Sequence, residues 1–458
     1  MSFDLPASDR PVLFCLHALG ASRAEFSTLD ARLGDMFETI AIDLPGFGDA
    51  PASLGTSVEE MVRHVAGIVA GRAAPRWMLL GHSMGGKIAT ILAARALAGE
   101  PGLFGLAGVV LLAGSPPSPE PMDEERREDM LSWVQGGQHL DEAAARRFID
   151  ANVGSPLSER DDALMRADLR RADPRAWAAW LERGSREDWS ATVGTLPLPA
   201  LILAGGADGD LGPDGQRRTN GTVYPGAELE VLDGAGHLLP LERPDEVADA
   251  IRRFWNERAG VGPAVPADFA AVIASERVSA RTRSILAYRY LACPSGEGAS
   301  VLSGAQMKTL RALAARVVPQ DEPQIDLAER VAAQLAKGAG DGWRLATLPP
   351  DLEAYRAGLD ALAGLETSSE TEQDARLRAV ADGSFAPPWG TLKAEQMTGW
   401  FEDARTDLVR QWLAHPATMA RIGFDGFANG GDGARKQGFD LLGAGEREAW
   451  EPAMEAAR

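Results

Sequence analysis

Leu79-Leu80-Gly81-His82-Ser83-Met84-Gly85-Gly86-Lys87-Ile88-Ala89 decides the fold of this chain. An apolar run, Trp77 to Leu80, stops at Gly-x-Ser-x-Gly, and a helical pattern rich in alanine, isoleucine and leucine follows at once. A strand that turns sharply into a helix carries the serine at its apex, with Oγ exposed above the sheet edge. Gly81 and Gly85 are required because the backbone there passes close to itself and a Cβ would clash. The helix start also brings unpaired N–H groups toward any anion formed beside the serine. Ser83 is therefore the candidate nucleophile.

On either side of this turn lie further apolar runs bounded by turn residues: Val12–Leu16, Thr39–Ile42, Val109–Ala113, Ala200–Ala204 and the shorter Leu229–Leu232. Helical patterns separate most of them. Val58, Met61, Val62, Val65 and Val69 share one face of such a helix, which starts at Ser57 with Glu60 three residues on, a capping box. Continuous apolar strands alternating with helices predict an α/β unit over residues 1–258, a doubly wound, mostly parallel sheet covered on both faces.

The stretch from about 116 to 197 breaks the alternation. It has no strand signal, only polar helical patterns and four tryptophans, Trp133, Trp177, Trp180 and Trp189. Eighty residues are too many for a loop in a compact domain, so a helical insertion is expected. It enters after Val109–Ala113, at the sheet edge where Ser83 emerges, and reads as a lid. Residues 259–267, rich in glycine, proline and alanine, read as a linker. Beyond it, 268–458 reads as an all-α domain. Helices are expected over Phe269–Leu291, Ala305–Val317 (after the capping box Ser303/Gln306), Ile325–Leu335, Leu352–Leu365 and Met397–Leu413. Breaks are expected at Cys293-Pro294-Ser295-Gly296, at the polar run Glu366–Asp374 and at Asn429–Gly433.

The 458 residues carry a net charge of −20, with 45% hydrophobic and 24% charged residues. An acidic surface repels phosphates and argues against nucleic acid or an anionic membrane as partner. Cys15 and Cys293 imply no disulfide framework, and Cys15 sits in an apolar run as a buried thiol. The first residues show no basic or apolar leader and no later stretch is apolar enough to span a bilayer, so a cytoplasmic location is expected. No metal-ligand spacing or phosphate loop is found, and no cofactor is expected.

Serine at neutral pH needs a base within hydrogen-bond reach, itself oriented by a third group. Of the six histidines, His237 follows the last apolar run in Asp233-Gly234-Ala235-Gly236-His237, at the strand end where α/β sheets place their sites. The acid should follow a strand between serine and histidine. Leu201–Asp208 supplies Asp208, with Asp210 as competitor. Oxyanion donors are expected from the N–H of Met84 and from Leu19, in the loop His17-Ala18-Leu19-Gly20. His17, His82, Trp133, Trp177 and Trp180 are candidates to contact substrate. The alternative is that His17 braces its loop and the tryptophans fill the insertion's own core.

Residues 11–257 resemble the lid-bearing α/β-hydrolases of the esterase, lactonase and carbon–carbon hydrolase type. The matching pieces are His17–Gly20, Asp43-Leu44-Pro45-Gly46-Phe47-Gly48, Gly81–Gly86, Gly205–Asp208, and Gly236-His237 with Glu242-Arg243-Pro244. The resemblance implies a serine hydrolase acting on a carboxylic ester or lactone, with the chain order Ser83, Asp208, His237; its usual Gly-to-Asp spacing favours Asp208 over Asp210. Carbon–carbon bond hydrolysis by the same triad is the related alternative. Ala18 stands where that family usually carries glycine.

Residues 300–445 resemble subunit 3 of gluconate 2-dehydrogenase. The likeness rests on Leu302-Ser303-Gly304-Ala305-Gln306 through Val318-Pro319, and more loosely on Tyr355–Leu365, His415-Pro416 and Gly423-Phe424-Asp425-Gly426. It implies an accessory subunit that binds no cofactor itself and partners a flavoprotein dehydrogenase of the glucose–methanol–choline type. Packing on the lid or self-association is the other reading of this half. His415, beside a proline, reads as a helix-ending residue.

Overall fold

The computed structural model describes residues 10–292, 301–338, 345–433 and 446. The first nine residues, Cys293 and the break expected at Cys293–Gly296 lie outside the described residues. Six strands form one sheet among the described residues: β1 (Val12–Leu16), β2 (Glu38–Ile42), β3 (Trp77–His82), β4 (Leu106–Leu112), β5 (Ala200–Gly205) and β6 (Glu228–Leu232). Their order is β2-β1-β3-β4-β5-β6 and every pairing is parallel.

The inner strands β1, β3, β4 and β5 are buried along their whole length, which is why they read as unbroken apolar runs. Their side chains still alternate between two cores. Phe14, Leu79, Val109 and Ile202 face one, and Leu13, Met78, Val110 and Leu201 face the other. The first core is covered by α2 (Val58–Arg72) and α3 (Met84–Leu97). The second is covered by α1 (Ser27–Leu33) and the helix Pro244–Phe254. Ser57 and Glu60 form the capping box that starts α2. Cys15 lies in the second core as a free thiol, and burial, with Asp30 and Glu25 nearby, pushes it well above its ordinary pKa.

The chain runs from β1 outward to β2, then crosses back to β3 on the other side of β1. This places a topological switch between β1 and β3, where the loops after the two strands part and leave a crevice. In register, Leu16 lies beside Gly81, His82 beside Leu112, and Gly205 beside Leu232. The loops after β1, β3, β5 and β6 therefore leave the same edge of the sheet.

Between β4 and β5 the chain forms α4 (Glu124–Ser132), α5 (Glu142–Asn152), α6 (Glu159–Arg171) and α7 (Pro174–Glu182). Asp123, Asp141, Ser158 and Asp173 cap their N-termini through side-chain oxygens. These polar caps explain why the segment lacked strand signals yet folds as an ordered insertion.

Residues beyond the expected linker also pack on the sheet domain. Helices Ala267–Ala274 and Ala280–Tyr290 replace the single helix expected over Phe269–Leu291, and the chain between them turns at Ser275–Ser279. Ala270, Ile273, Leu286 and Tyr290 join the core of the sheet domain. Arg283 Nε donates to Gly99 O at 2.5 Å and Ala274 O accepts from Gly102 N–H at 2.9 Å.

A separate core spans residues 302–408, built from Gly304–Val317, Leu327–Ala336, Asp351–Ala361, Glu370–Ala381 and Ala394–Leu413 around Leu310, Val331, Leu359 and Trp400. The polar run Glu366–Asp374, expected as a break, contains the first turns of Glu370–Ala381. Ser369 and Glu372 make its capping box, so its acidic residues are a solvated helix start. His415 opens a helix rather than ending one. Its Nδ1 accepts from Ala417 N–H at the start of Pro416–Arg421, and burial, with Arg330 and Arg76 nearby, pushes its pKa down to about 3. No helix among the described residues is long and apolar enough to cross a membrane.

Candidate active site

Ser83 stands between β3 and α3 with φ 49° and ψ −118°, a conformation that L-residues adopt only under constraint. Two close approaches impose it. A Cβ on Gly81 would lie 2.5 Å from Gly85 O, and one on Gly85 would lie 2.2 Å from Leu16 O. Only hydrogen fits at either position, so the turn can fold tightly and lift the serine out of the sheet. Ser83 N–H donates to Leu112 O at 3.0 Å, holding the turn against β4.

The loops after β5 and β6 bring the acid and the imidazole together. Asp208 Oδ2 accepts from His237 Nδ1 at 2.8 Å, and both side chains are largely buried. Burial alone would lower the His237 pKa, but the Asp208 carboxylate, aided by Glu120, raises it above the ordinary value. Burial likewise works against the Asp208 charge, and His237 holds that carboxyl below its usual range. Asp210 does not reach the imidazole. It faces the insertion, 4.0 Å from Arg126.

Ser83, His237 and Asp208 line one cavity of about 40 Å³ with Ala18, Leu19, Glu120, Met122, Arg126, Met130, Phe148, Asn152, Trp180, Asp210 and Leu211. The described hydrogen bonds include none between Ser83 Oγ and His237. In sites without substrate this contact is often long and tightens only on binding.

Two peptide planes flank the cavity, each fixed by its carbonyl. Ala18 C=O accepts from Ala21 N–H at 3.2 Å and from His17 Nδ1 at 2.8 Å. Ser83 C=O accepts from Gly86 N–H and Ser115 N–H, both at 2.8 Å. In a trans peptide the following N–H points opposite to the carbonyl, so the N–H groups of Leu19 and Met84 face away from these bonds. Ala18 is absent from the residues with positive φ, so its methyl group imposes no backbone strain where a glycine was the expectation.

The other candidates for substrate contact divide. Trp180 lines the cavity. Trp177 is buried behind it, its indole N–H donating to Met130 O at 3.0 Å, and Trp133 packs on Trp177 with Arg147 over its ring. Trp177 belongs to the core that the insertion shares with the sheet domain, against the loop at Gly20, and Trp133 packs on its edge, so neither fills a core of the insertion's own. His17 is fully buried and braces its loop: Nε2 accepts from Leu44 N–H at 2.9 Å, so the ring proton sits on Nδ1 and is given to Ala18 O. Burial lowers its pKa, in keeping with a neutral ring. His82 is also fully buried, between Glu25 and the His237 carbonyl, and does not line the cavity.

Arg126 and Asn152 had no signal of their own in the sequence, and Glu242 stood there only as part of the Glu242-Arg243-Pro244 match. Arg126 Nη2 donates to Asn152 Oδ1 at 3.0 Å, and Asn152 O accepts from His237 N–H at 2.7 Å, tying the insertion to the imidazole's backbone. Glu242 accepts from the N–H groups of Gly154, Ser155, Gly236 and Leu238 and binds the same two segments together. Lys87 did leave a trace, as a cation inside an apolar helix start. It is fully buried and donates to Gly184 O and Glu187 O at 3.0 and 2.9 Å; burial pushes its pKa down to about 8.

Residues 12–250 match the model of the alpha/beta hydrolase family. The biotin biosynthesis bifunctional protein BioHC of Teredinibacter turnerae is 30% identical over 56% of this chain and 46% of its own length. The chain thus spans about half the length of that relative. The 2-succinyl-6-hydroxy-2,4-cyclohexadiene-1-carboxylate synthase of Serratia proteamaculans is 28% identical over 54% of this chain and 94% of its own. The pimeloyl-(acyl-carrier protein) methyl ester esterase of Xanthomonas campestris pv. campestris is 29% identical over 53% and 94%.

Proposed function

Because this chain belongs to the alpha/beta hydrolase family, we propose that it is a serine hydrolase that cleaves a carboxylic ester or lactone through an acyl-enzyme. The observation that carries this reading is the Asp208–His237 contact of 2.8 Å in the same cavity as a serine held at positive φ. His237 takes the Ser83 proton as Oγ attacks the carbonyl carbon, then returns it to the leaving oxygen. Water, deprotonated by the same imidazole, releases the acid and restores Ser83. Asp208 keeps the Nδ1 proton in place and stabilises the imidazolium. The Leu19 and Met84 N–H groups receive the oxyanion, and loss of such a donor typically costs about 10²–10³ in kcat.

The similarity to a methyl ester esterase supports ester substrates. The wall of Leu19, Met122, Met130, Phe148, Trp180 and Leu211 supports an apolar acyl group. A fluorophosphonate probe should label Ser83 and no other serine, and Ser83→Ala should abolish both labelling and turnover of p-nitrophenyl esters. Retained turnover in that variant removes the reading. Carbon–carbon hydrolysis of a β-diketone by the same triad is separated from ester cleavage by product analysis on a matched substrate pair.

For the helical half we propose the accessory role that its resemblance to gluconate 2-dehydrogenase subunit 3 implies, as a binding module for a flavin-dependent dehydrogenase. Its own core, and Val409 and Leu413 exposed together along one groove of Ala394–Leu413, support a module that meets a partner. Co-purification of the full chain with a yellow flavoprotein from its source cells tests this. A chain that purifies alone from those cells counts against it.

A further inference from the structure

Glu25 lies on the 3-10 turn Arg23–Phe26, just after the loop that follows β1, and is 1% exposed. A buried carboxylate is costly unless its oxygens are satisfied. Here each oxygen has a different task. Oε2 accepts from Ala18 N–H at 3.3 Å, and Oε1 meets His82 Nδ1 at 2.7 Å. His82 aims its other nitrogen at the backbone carbonyl of His237, at 2.8 Å. A carbonyl oxygen can only accept, so Nε2 is the donor there.

The result is one continuous path, from Ala18 N–H through Glu25 and His82 to the His237 carbonyl. It joins the loop after β1, the end of β3 and the loop after β6 from behind, and neither Glu25 nor His82 lines the cavity. Burial pushes the Glu25 carboxyl toward its neutral form. The His82 ring, with His17 and the Ala18 N–H, outweighs this and holds it below its ordinary pKa, so at neutral pH it is an acceptor on both oxygens.

We propose that Glu25 is a positioning residue for this site. Through Ala18 it fixes the loop that presents the Leu19 N–H, and through His82 it fixes the backbone of His237. Oxyanion donor and base are thereby held at a set distance from Ser83. This rests on the serine-hydrolase reading above and adds to it a residue that touches no reacting atom.

The test compares full-length wild type with Glu25→Ala, Glu25→Gln and Glu25→Asp. Turnover of p-nitrophenyl acetate is normalised to the Ser83 labelled by a fluorophosphonate. Glu25→Ala should lower kcat about 10–100-fold with KM changed by less than about threefold, because groups used in the transition state are displaced. Glu25→Gln supplies an amide oxygen to Ala18 and an amide N–H to His82 Nδ1, which accepts once the ring carries its proton on Nε2 alone, still given to the His237 carbonyl. It should recover kcat to within about fivefold of wild type. Without substrate, hydrogen exchange at the Ala21 and His237 amides should quicken in Glu25→Ala and not in Glu25→Gln.

A kcat per labelled serine in Glu25→Ala within about twofold of wild type overturns the inference. So does unchanged exchange at both amides, or a Glu25→Gln variant as impaired as Glu25→Ala. Should Glu25→Ala fail to fold, Glu25→Asp decides: its carboxylate is withdrawn by one methylene and should cost about tenfold in kcat, and wild-type kcat there overturns the inference. Ser83→Ala in the same assay keeps the two claims apart. Turnover retained in that variant removes the hydrolase reading, while the exchange measurement still decides whether Glu25 holds the loops.

Discussion

The sheet domain and the helical half are built from the same residue types but use their polar groups differently. Around Ser83, polar side chains are buried and aimed at fixed backbone atoms: His17 at Ala18 O, His82 at His237 O, Lys87 at Gly184 O. In the helical half they mostly close helix ends and pair at the surface. Ser303 and Ser369 form capping boxes, and Arg316 meets Asp374 and Glu370. Buried polar networks lock one arrangement, which chemistry needs. Surface caps and pairs stabilise helices without fixing a site. Strain follows the same division. Among the described residues, the non-glycine residues at positive φ, Ala73, Ser83 and Ala113, all lie in the sheet domain.

The contrast is tested most severely at the nucleophile. Ser83→Ala should reduce kcat by about 10⁴–10⁶ on any ester the protein turns over, with an unchanged circular-dichroism spectrum. Activity within an order of magnitude of wild type would erase the functional difference between the halves. Next comes the acid. Asp208→Asn should cost about 10³–10⁴ in kcat, since the imidazole loses its orienting charge. Asp210→Asn, facing Arg126 instead, should change kcat less than about threefold, and steady-state kinetics on the pair checks both.

The boundary between the halves can be cut. A chain ending at residue 292 should stay folded, because the core of residues 302–408 is separate and the sheet domain's core loses only Met419, with Ala417 and Phe427 packed on it. A chain ending at residue 266 should melt on the order of 10 °C lower than that one, having lost Ile273, Leu286 and Tyr290 from the sheet domain's own core. Equal melting temperatures by calorimetry would place the boundary back at the linker.

The mildest effect is that of pH. His237 must be neutral to act as base, and its pKa is raised, so kcat/KM should rise with pH through a value above the ordinary imidazole pKa of about 6.5. The stability that the pair contributes through His237 is fully present below the imidazole's unfolded pKa and is lost as pH rises through the raised one. Through Asp208 it is present above the carboxylate's unfolded pKa and lost as pH falls through the lowered one. In Asp208→Asn the kinetic midpoint should shift to lower pH. A midpoint that stays put would separate the imidazole from its partner.

Much of the sheet domain could be read before any coordinates. The inner strands are buried on both faces and so must be apolar throughout, and the glycines at 81 and 85 stand where no side chain fits. The helical half was harder. Its apolar stripes announced helices, but Phe269–Leu291 divided at a turn, and an acidic run taken for a break was a capped helix start. Local polarity cannot distinguish a solvated helix start from a loop, because the same serines and glutamates that cap a helix, here Ser369 and Glu372, also populate loops. The insertion's tryptophans were equally ambiguous, since only packing decides which of them faces the cavity.

What the sequence determined alone is the turn at Ser83, the alternation that makes a parallel sheet, and the two loops able to carry an acid and an imidazole. These follow from sterics and periodicity, which act over a few neighbouring residues. The tertiary structure decided which aspartate meets His237, that residues 267–290 join the sheet domain's core, and that Glu25, Lys87, Asn152 and Glu242 hold the site. Each of those depends on a contact between residues far apart in the chain, and the value of a buried polar group is set by the partner that the fold brings to it.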